Sequence, residues 1–213
     1  MAVFFLQLVY SGGMDRFPTP SGTQQFELVI KRSRFITRVG HVVGKDAARQ
    51  FIAQCRLDMP DANHHCWAMV AGVPEDIWLQ DQSDDGEPKG TAGKPILNVL
   101  QHSGLGHVVV VVTRYFGGVK LGAGGLVRAY SQSASEALLA VEVQDSFIRE
   151  RLRVELSYDL LDTLEHWLRG TDILVDERQF DASVHLTLLV PSQEMTILQE
   201  KLLELGAGRI VTE

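Results

Sequence analysis

A run of five valines at residues 108–112 constrains the fold of this chain more than any other stretch. A strand with one face in water alternates apolar and polar residues, and this run contains no polar position. It is therefore predicted to be a strand that protein covers on both faces, as in the middle of a sheet packed between helices. One glycine-rich segment precedes the run at residues 84–95, and a second closes it at residues 113–128.

Both glycine-rich segments lead into apolar helical patterns, and both contain cations. Glycine lets the backbone turn tightly, and the free N–H groups of a helix N-terminus attract phosphate or carboxylate. We therefore expect the two segments to meet and bind an anion, with an arginine fork for phosphate and an aromatic ring for a base. The alternative is an arginine paired with a nearby carboxylate and aromatic rings packed in the core. The candidate anion-binding or nucleic-acid-binding residues are Gly93, Lys94, Arg114, Tyr115, Gly117, Gly118, Lys120 and Arg128.

Three acidic residues, Asp84, Asp85 and Glu87, form an acidic loop whose role the sequence leaves open. They are candidates for general acids or for ligands of a hard cation, but their spacing lacks the fuller oxygen set that Ca²⁺ or Mg²⁺ needs. A turn that is ion-paired with neighbouring lysines or arginines is the favoured interpretation. We assign no catalytic residue, no metal ligand and no cofactor.

Motifs for nucleotide and metal binding are incomplete. Pro95 stands where an ATP-binding loop needs Ser or Thr, and Val127 stands where a dinucleotide loop needs its last glycine. His64, His65 and Cys66 are adjacent in a predicted strand, so their side chains alternate between faces and cannot all reach one zinc ion. A nucleophilic pair of Cys66 with a distant histidine stays open, although no motif supports it.

Charge is unevenly distributed along the 213 residues, whose net charge is −7. Residues 151–213 contain six basic and twelve acidic side chains, whereas residues 1–150 contain fourteen and fifteen. Only a local patch on the N-terminal part can therefore meet a polyanion. The basic stretch at residues 31–38, with Phe35 inside it, is either such a patch for RNA phosphates or the solvated side of a strand pair.

Hydrophobic periodicity predicts an α+β fold with two domains. Residues 23–148 read as two strands, a helix, a strand, a long polar loop over residues 72–90, a helix, the valine strand and a final helix, which is an α/β sandwich. Residues 149–213 read as the ferredoxin-like order βαββαβ, with its last strand at residues 209–211. Residues 1–22 are expected to be an irregular lead-in.

The compartment follows from the cysteines and the N-terminus. Cys55 and Cys66 are too few for a disulfide framework and are expected to be free, buried thiols. Residues 2–10 are apolar but lack a basic flank and are too short to span a bilayer. Whether translation begins at Met1 or Met14, neither start implies secretion or a membrane. The protein is expected to be cytoplasmic.

Three uninterrupted strings carry a resemblance to a known family: residues 84–88, DDGEP; residues 90–95, GTAGKP; and residues 114–122, RYFGGVKLG. They resemble the IMPACT family in its bacterial branch, and the similarity extends from about Lys31 to the C-terminus. The resemblance implies a ribosomal-protein-like N-terminal domain and a non-enzymatic cytosolic regulator linked to translation. Its implied partners are RNA, the ribosome or a translation-associated protein. The alternative is an enzyme acting on a phosphorylated or nucleotide-like small molecule, and the oligomeric state stays open.

Overall fold

A computed structural model describes residues 16–206 of the chain. The described chain divides into two compact units, each with its own apolar core: Phe17–Ser146, and Arg16 with residues 147–206. An α+β fold in two domains, as expected from the sequence, is confirmed. Among the described residues, no helix is both long and apolar enough to cross a membrane.

The N-terminal unit contains seven strands and three helices in its described part. The strands are β1 (Arg16–Pro20), β2 (Gln24–Ile30), β3 (Ser33–His41), β4 (His64–Val70), β5 (Gln80–Ser83), β6 (Val108–Tyr115) and β7 (Val143–Phe147). The helices are α1 (Gly44–Asp58), α2 (Gly93–Ser103) and α3 (Ala123–Ala140). Gly104 ends α2 in the left-handed conformation that a helix stop favours, as its position in the sequence predicts.

Five strands form one antiparallel sheet in the order β2-β3-β6-β4-β5, with the valine strand β6 at its centre. All five valines are fully buried. Val108, Val110 and Val112 pack under α2 and α3, whereas Val109 and Val111 pack under α1. The prediction that protein covers both faces of this strand is confirmed.

Helices α2 and α3 begin at the same end of the sheet, the end at which β6 finishes. Gly93, the first residue of α2, lies directly against the backbone of Ser83 at the end of β5. Helix α3 begins at Ala123, after a short loop that follows Tyr115 at the end of β6. We call this edge of the N-terminal unit the Tyr115 end. The edge where β6 starts is the Val108 end.

Two segments differ from the sequence interpretation. The long loop over residues 72–90 contains a single 3-10 turn, Ile77–Leu79, and the edge strand β5. That strand reads Gln-Asp-Gln-Ser, so it pairs through its backbone and has no apolar alternation to reveal it. The lead-in expected over residues 1–22 includes the strand β1, which pairs with β7 and buries Phe17 and Thr19. The two prolines of β1 made this segment look irregular in the sequence, although proline is tolerated in an edge strand.

The C-terminal unit contains three strands and two helices in its described part. They are β8 (Arg149–Leu156), α4 (Tyr158–Leu168), β9 (Leu174–Phe180), β10 (Val184–Pro191) and α5 (Met195–Gly206). The sheet order is β8-β10-β9, and β10 runs antiparallel to both neighbours. This is a split β-α-β unit, and the strand predicted at residues 209–211 lies outside the described residues. The complete ferredoxin-like arrangement stays a prediction.

Candidate anion-binding site

Strand register brings the two glycine-rich segments to the Tyr115 end of the sheet. Arg114 pairs with Phe35 on one neighbouring strand and with His64 on the other. Gly117 lies against the backbone of Arg32, where an added Cβ would come within 2.0 Å of the Arg32 carbonyl carbon. The loop after β6 therefore packs on the turn between β2 and β3, and only glycine fits at that contact.

The carboxylate of Glu87 joins the first glycine-rich segment to the second. Its Oε1 accepts hydrogen bonds from Nη1 of Arg114 at 2.5 Å and from the hydroxyl of Tyr130 at 2.8 Å. All three side chains are buried, and Arg114 is only 6% exposed between the rings of Phe35 and Phe116. The charge of Arg114 is thus neutralised within the fold.

The carboxylate of Asp84 occupies the N-terminus of α2. Its oxygens accept the backbone N–H groups of Gly90 at 2.7 Å, Ala92 at 3.0 Å and Gly93 at 2.9 Å. Burial raises the pKa of this carboxyl, but the three amide hydrogen bonds outweigh burial and leave the pKa below its ordinary value of 3.8. The helix terminus binds an anion, and that anion belongs to the chain itself.

Asp85 fixes the start of β4. It accepts hydrogen bonds from Arg56 at 2.6 Å and from the backbone N–H of His65 at 2.7 Å. Its carbonyl oxygen lies 2.9 Å from Nδ1 of His64, which therefore donates its proton there. Nε2 of His64 then faces Oε1 of Glu87 at 3.9 Å. Burial lowers the pKa of His65.

Cys66 is enclosed beneath this acidic loop. Its Sγ lies 3.0 Å from the carbonyl oxygen of Asp84 and 3.3 Å from the hydroxyl of Tyr130, and burial raises the pKa of the thiol. Because the thiolate is the nucleophilic form of cysteine, a thiol held neutral argues against Cys66 as a nucleophile. Cys55 and Cys66 are both free and buried, as the sequence predicts. Within residues 16–206, no group of three or more His, Cys, Asp or Glu side chains could hold a metal ion.

Two of the candidate anion-binding residues already have partners within the fold. The N–H of Gly93 is bound to Asp84, and the guanidinium of Arg114 is bound to Glu87, so neither is free for an external anion. Tyr115 is half-buried, and the guanidinium of Arg34 lies 5.4 Å from the centre of its ring. Each of the three carboxylates of the acidic loop is bound within the fold, which favours the interpretation as a paired turn.

Other cations around the Tyr115 end remain exposed. None of them forms an ion pair with another residue in the described part of the chain. We call this set the cationic rim; it consists of Lys31, Arg32, Lys89, Lys94, Lys120 and Arg128. Three of its members, Lys94, Lys120 and Arg128, are among the candidates from the sequence.

The N-terminus of α3 lies within this rim and has no side-chain cap. Gly122 precedes it with φ at 71°, a conformation that glycine adopts freely. A Cβ added to Gly124 would lie 4.0 Å from Nη1 of Arg128. The guanidinium of Arg128 therefore lies beside the first turn of α3. Gly118, with φ at 82°, shapes the loop that leads there. This terminus differs from that of α2, where Asp84 already binds the amides.

Tyr130 is not among the candidates from the sequence, although its hydroxyl binds Glu87. A tyrosine on the largely apolar face of a helix is a usable signal, since a buried hydroxyl needs a partner. Nothing in the sequence indicates which of Asp84, Asp85 and Glu87 pairs with Arg114. The choice depends on how the loop folds, because the pair is 27 residues apart in the chain.

Comparison with known proteins places this arrangement in a family. The model of the Impact N-terminal domain matches residues 31–138, and a domain of unknown function, DUF1949, matches residues 154–209. These are the two-domain proteins of the IMPACT type, and the chain belongs to the IMPACT family.

The relatives include bacterial proteins that are similar over most of their length. An IMPACT family member of Haemophilus influenzae is 39% identical over 200 residues, covering 94% of this chain and 97% of the relative. The IMPACT family member YigZ of Escherichia coli is 39% identical over 181 residues, covering 85% and 89%. A crystal structure described as that of a hypothetical protein matches with a TM-score of 0.79 at 37% identity, covering 93% of this chain and 97% of that one.

Replacing Glu87 tests the buried ion pair. Glu87→Gln keeps an acceptor for Tyr130 but leaves the buried guanidinium of Arg114 without a counter-charge, so we expect a loss of about 3–5 kcal/mol in unfolding free energy. The added change Arg114→Met should recover most of that loss. Glu27→Gln is the control, because it breaks an exposed pair with Arg34 and should cost at most about 1 kcal/mol. Urea unfolding measures all three, and equal losses for Glu27→Gln and Glu87→Gln would contradict the assignment.

Replacing Asp84 tests the occupied helix terminus. Asp84→Asn removes the charge that three amides bind, so we expect a loss of about 1–2 kcal/mol near neutral pH. Because the folded-state pKa of Asp84 is lowered, its contribution is present above 3.8 and is lost as the pH falls through the lower folded value. The gap between wild type and variant should therefore narrow as the pH falls below 3.8 and vanish once the pH is below the lower folded-state pKa. Asp61→Asn, at an exposed carboxylate, is the control; a gap that stays constant with pH would rule out the cap.

Proposed function

We propose that this chain is a translation-linked, non-enzymatic regulator that binds RNA through the cationic rim. The observation that carries the proposal is the set of exposed lysines and arginines at one end of the N-terminal sheet, which form no ion pair in the described part of a chain whose net charge is −7. Such a local concentration of cations suits the phosphates of a nucleic acid backbone, from which they release counterions. The link to translation rests on the family resemblance, and RNA of the ribosome is one source of such a ligand.

The turn between β2 and β3 supports a binding role for two of these cations. Lys31 and Arg32 have φ values of 46° and 68°, so both central positions of this hairpin turn are left-handed. Asn-Gly is the preferred pair there, because side chains with a Cβ are strained at positive φ. Because Lys31 and Arg32 are strained at these positions, their presence favours a role in binding over a role in folding.

Exposed groups beside the turn suit the other parts of a nucleotide. Phe116 is about half exposed, and its backbone N–H is bound to Oδ1 of Asn63 at 2.8 Å, which fixes the loop that presents the ring. An exposed aromatic ring next to cations can stack on an unpaired base. The uncapped amides of α3 with Arg128 above them can receive a phosphate. These groups favour single-stranded RNA over a duplex.

Charge removal at the rim tests the proposal. Lys31→Gln/Lys120→Gln should weaken binding of a fluorescently labelled single-stranded RNA and should reduce the slope of log K against log salt by about 1.4. The control Lys45→Gln/Arg49→Gln makes the same change in net charge on α1, which begins at the Val108 end, and should leave affinity unchanged. Fluorescence anisotropy over a salt series measures both. Equal affinities for the two double variants would exclude the rim.

A substitution in the hairpin turn separates binding from folding. Lys31→Asn/Arg32→Gly places the preferred pair at the left-handed positions, so stability should rise by about 1–2 kcal/mol while RNA binding weakens. Thermal unfolding and anisotropy check the two effects on one protein. If this variant binds RNA as tightly as wild type, the turn has no binding role. Thermal stabilisation by nucleotides or sugar phosphates without RNA binding would instead favour an enzyme for phosphorylated small molecules.

A further inference from the structure

A second exposed surface lies at the Val108 end of the N-terminal sheet, opposite the cationic rim. Trp78 is 81% exposed and Ile77 is 69% exposed, both on the 3-10 turn between β4 and β5. Val43, 61% exposed, follows β3 at the same end, where β3 pairs with the start of β6. Large apolar side chains that are exposed next to one another indicate an interaction site, whereas single exposed apolar residues are common.

Hydrogen bonds place Val43 next to this turn. The N–H of Gly44 donates to the carbonyl oxygen of Ala71 at 2.8 Å, and the N–H of Ala71 donates to the carbonyl oxygen of Leu79 at 2.8 Å. The segment that contains Val43 and the segment that contains Ile77 and Trp78 are thus joined through one residue. We call Val43, Ile77 and Trp78 together the Trp78 surface.

The turn that presents Trp78 is held rigidly. Oδ1 of Asp76 accepts the N–H of Trp78 at 2.9 Å, and Nε2 of Gln80 donates to the carbonyl oxygen of Pro74 at 3.1 Å. The side chain of Leu79 points inward and packs on Gly72, where an added Cβ would come within 2.4 Å of it. The backbone beneath the exposed ring is therefore held by these contacts, so little backbone entropy is lost when a partner covers the ring.

The charged side chains of the segment that carries the exposed ring are all acidic. Residues 72–82 contain Glu75, Asp76 and Asp81 and no lysine or arginine. None of these three carboxylates forms an ion pair with another residue in the described part of the chain. An apolar centre with an acidic border is complementary to an apolar segment flanked by lysines or arginines. It repels RNA and anionic lipid, so the ligands of the two ends of the sheet differ.

We propose that the Trp78 surface docks a basic amphipathic segment of another protein. Trp78 and Ile77 insert among the apolar residues of that segment, and the carboxylates of Glu75 and Asp81 meet its flanking cations. A tryptophan at the centre of a small interface is the residue type that contributes most to binding. The inference is independent of RNA binding, because it uses the opposite end of the N-terminal unit.

The full-length chain and two model peptides test the inference. One labelled helical peptide has a leucine face and a lysine face. Its counterpart has glutamate in place of every lysine. We expect the lysine peptide to bind and the glutamate peptide not to bind. Trp78→Ala should weaken binding of the lysine peptide at least about tenfold. Glu75→Gln/Asp81→Asn should weaken it and reduce its dependence on salt.

Matched controls identify the cause of any loss. Leu203→Ala removes an exposed apolar side chain from α5 and should leave peptide affinity unchanged. Trp78→Ala should keep the melting temperature and the RNA affinity of the wild type, which separates this inference from the cationic rim. Equal binding of the two peptides, or equal losses for Trp78→Ala and Leu203→Ala, would overturn it. The inference would also be overturned if Trp78→Ala left peptide binding unchanged and abolished only self-association, measured by sedimentation. The same holds if the substitution abolished only binding to phosphatidylcholine vesicles.

Discussion

The buried carboxylate of Glu87 is the contact on which the Tyr115 end of the N-terminal unit depends. One of its oxygens holds a guanidinium on β6 and a hydroxyl on α3, so a loop, the central strand and a helix meet at a single atom. In a site from which water is excluded, removing either partner leaves an uncompensated charge or an unsatisfied donor. The conformation of the acidic loop is therefore tied to the packing of the sheet against α3.

Asp84 and Asp85 extend the same principle to the rest of the loop. Asp84 binds the amides that begin α2, and Asp85 binds the chain at the start of β4. The three acidic side chains of the loop are thus bound within the fold, while the six cations of the cationic rim are exposed and form no ion pair in the described part of the chain. This separation lets a chain with an excess of acidic residues present a positive surface at one end of its N-terminal sheet. The Trp78 surface, acidic and apolar, is its counterpart at the other end.

Periodicity predicted most of the fold, since long apolar patterns report burial directly. The valine run predicted a strand covered on both faces, and Gly104 predicted the end of α2. The strands β1 and β5 escaped prediction because prolines and polar residues hide pairing that is carried by the backbone. The meeting of the glycine-rich segments was predictable from their position around a central strand. Which carboxylate pairs with Arg114 was not, because that choice depends on contacts between residues distant in the chain.

We propose that the amides of the loop stabilise the fold, whereas the cations of the rim bind the ligand. This division can be tested by titrating the ¹⁵N-labelled chain with single-stranded RNA and recording two-dimensional NMR spectra. We predict shifts of the amide signals of Lys31, Arg32, Gly118 and Lys120, with those of Gly90, Ala92 and Gly93 unchanged because Asp84 holds them. Shifts concentrated at Gly90, Ala92 and Gly93, with the rim unaffected, would contradict it.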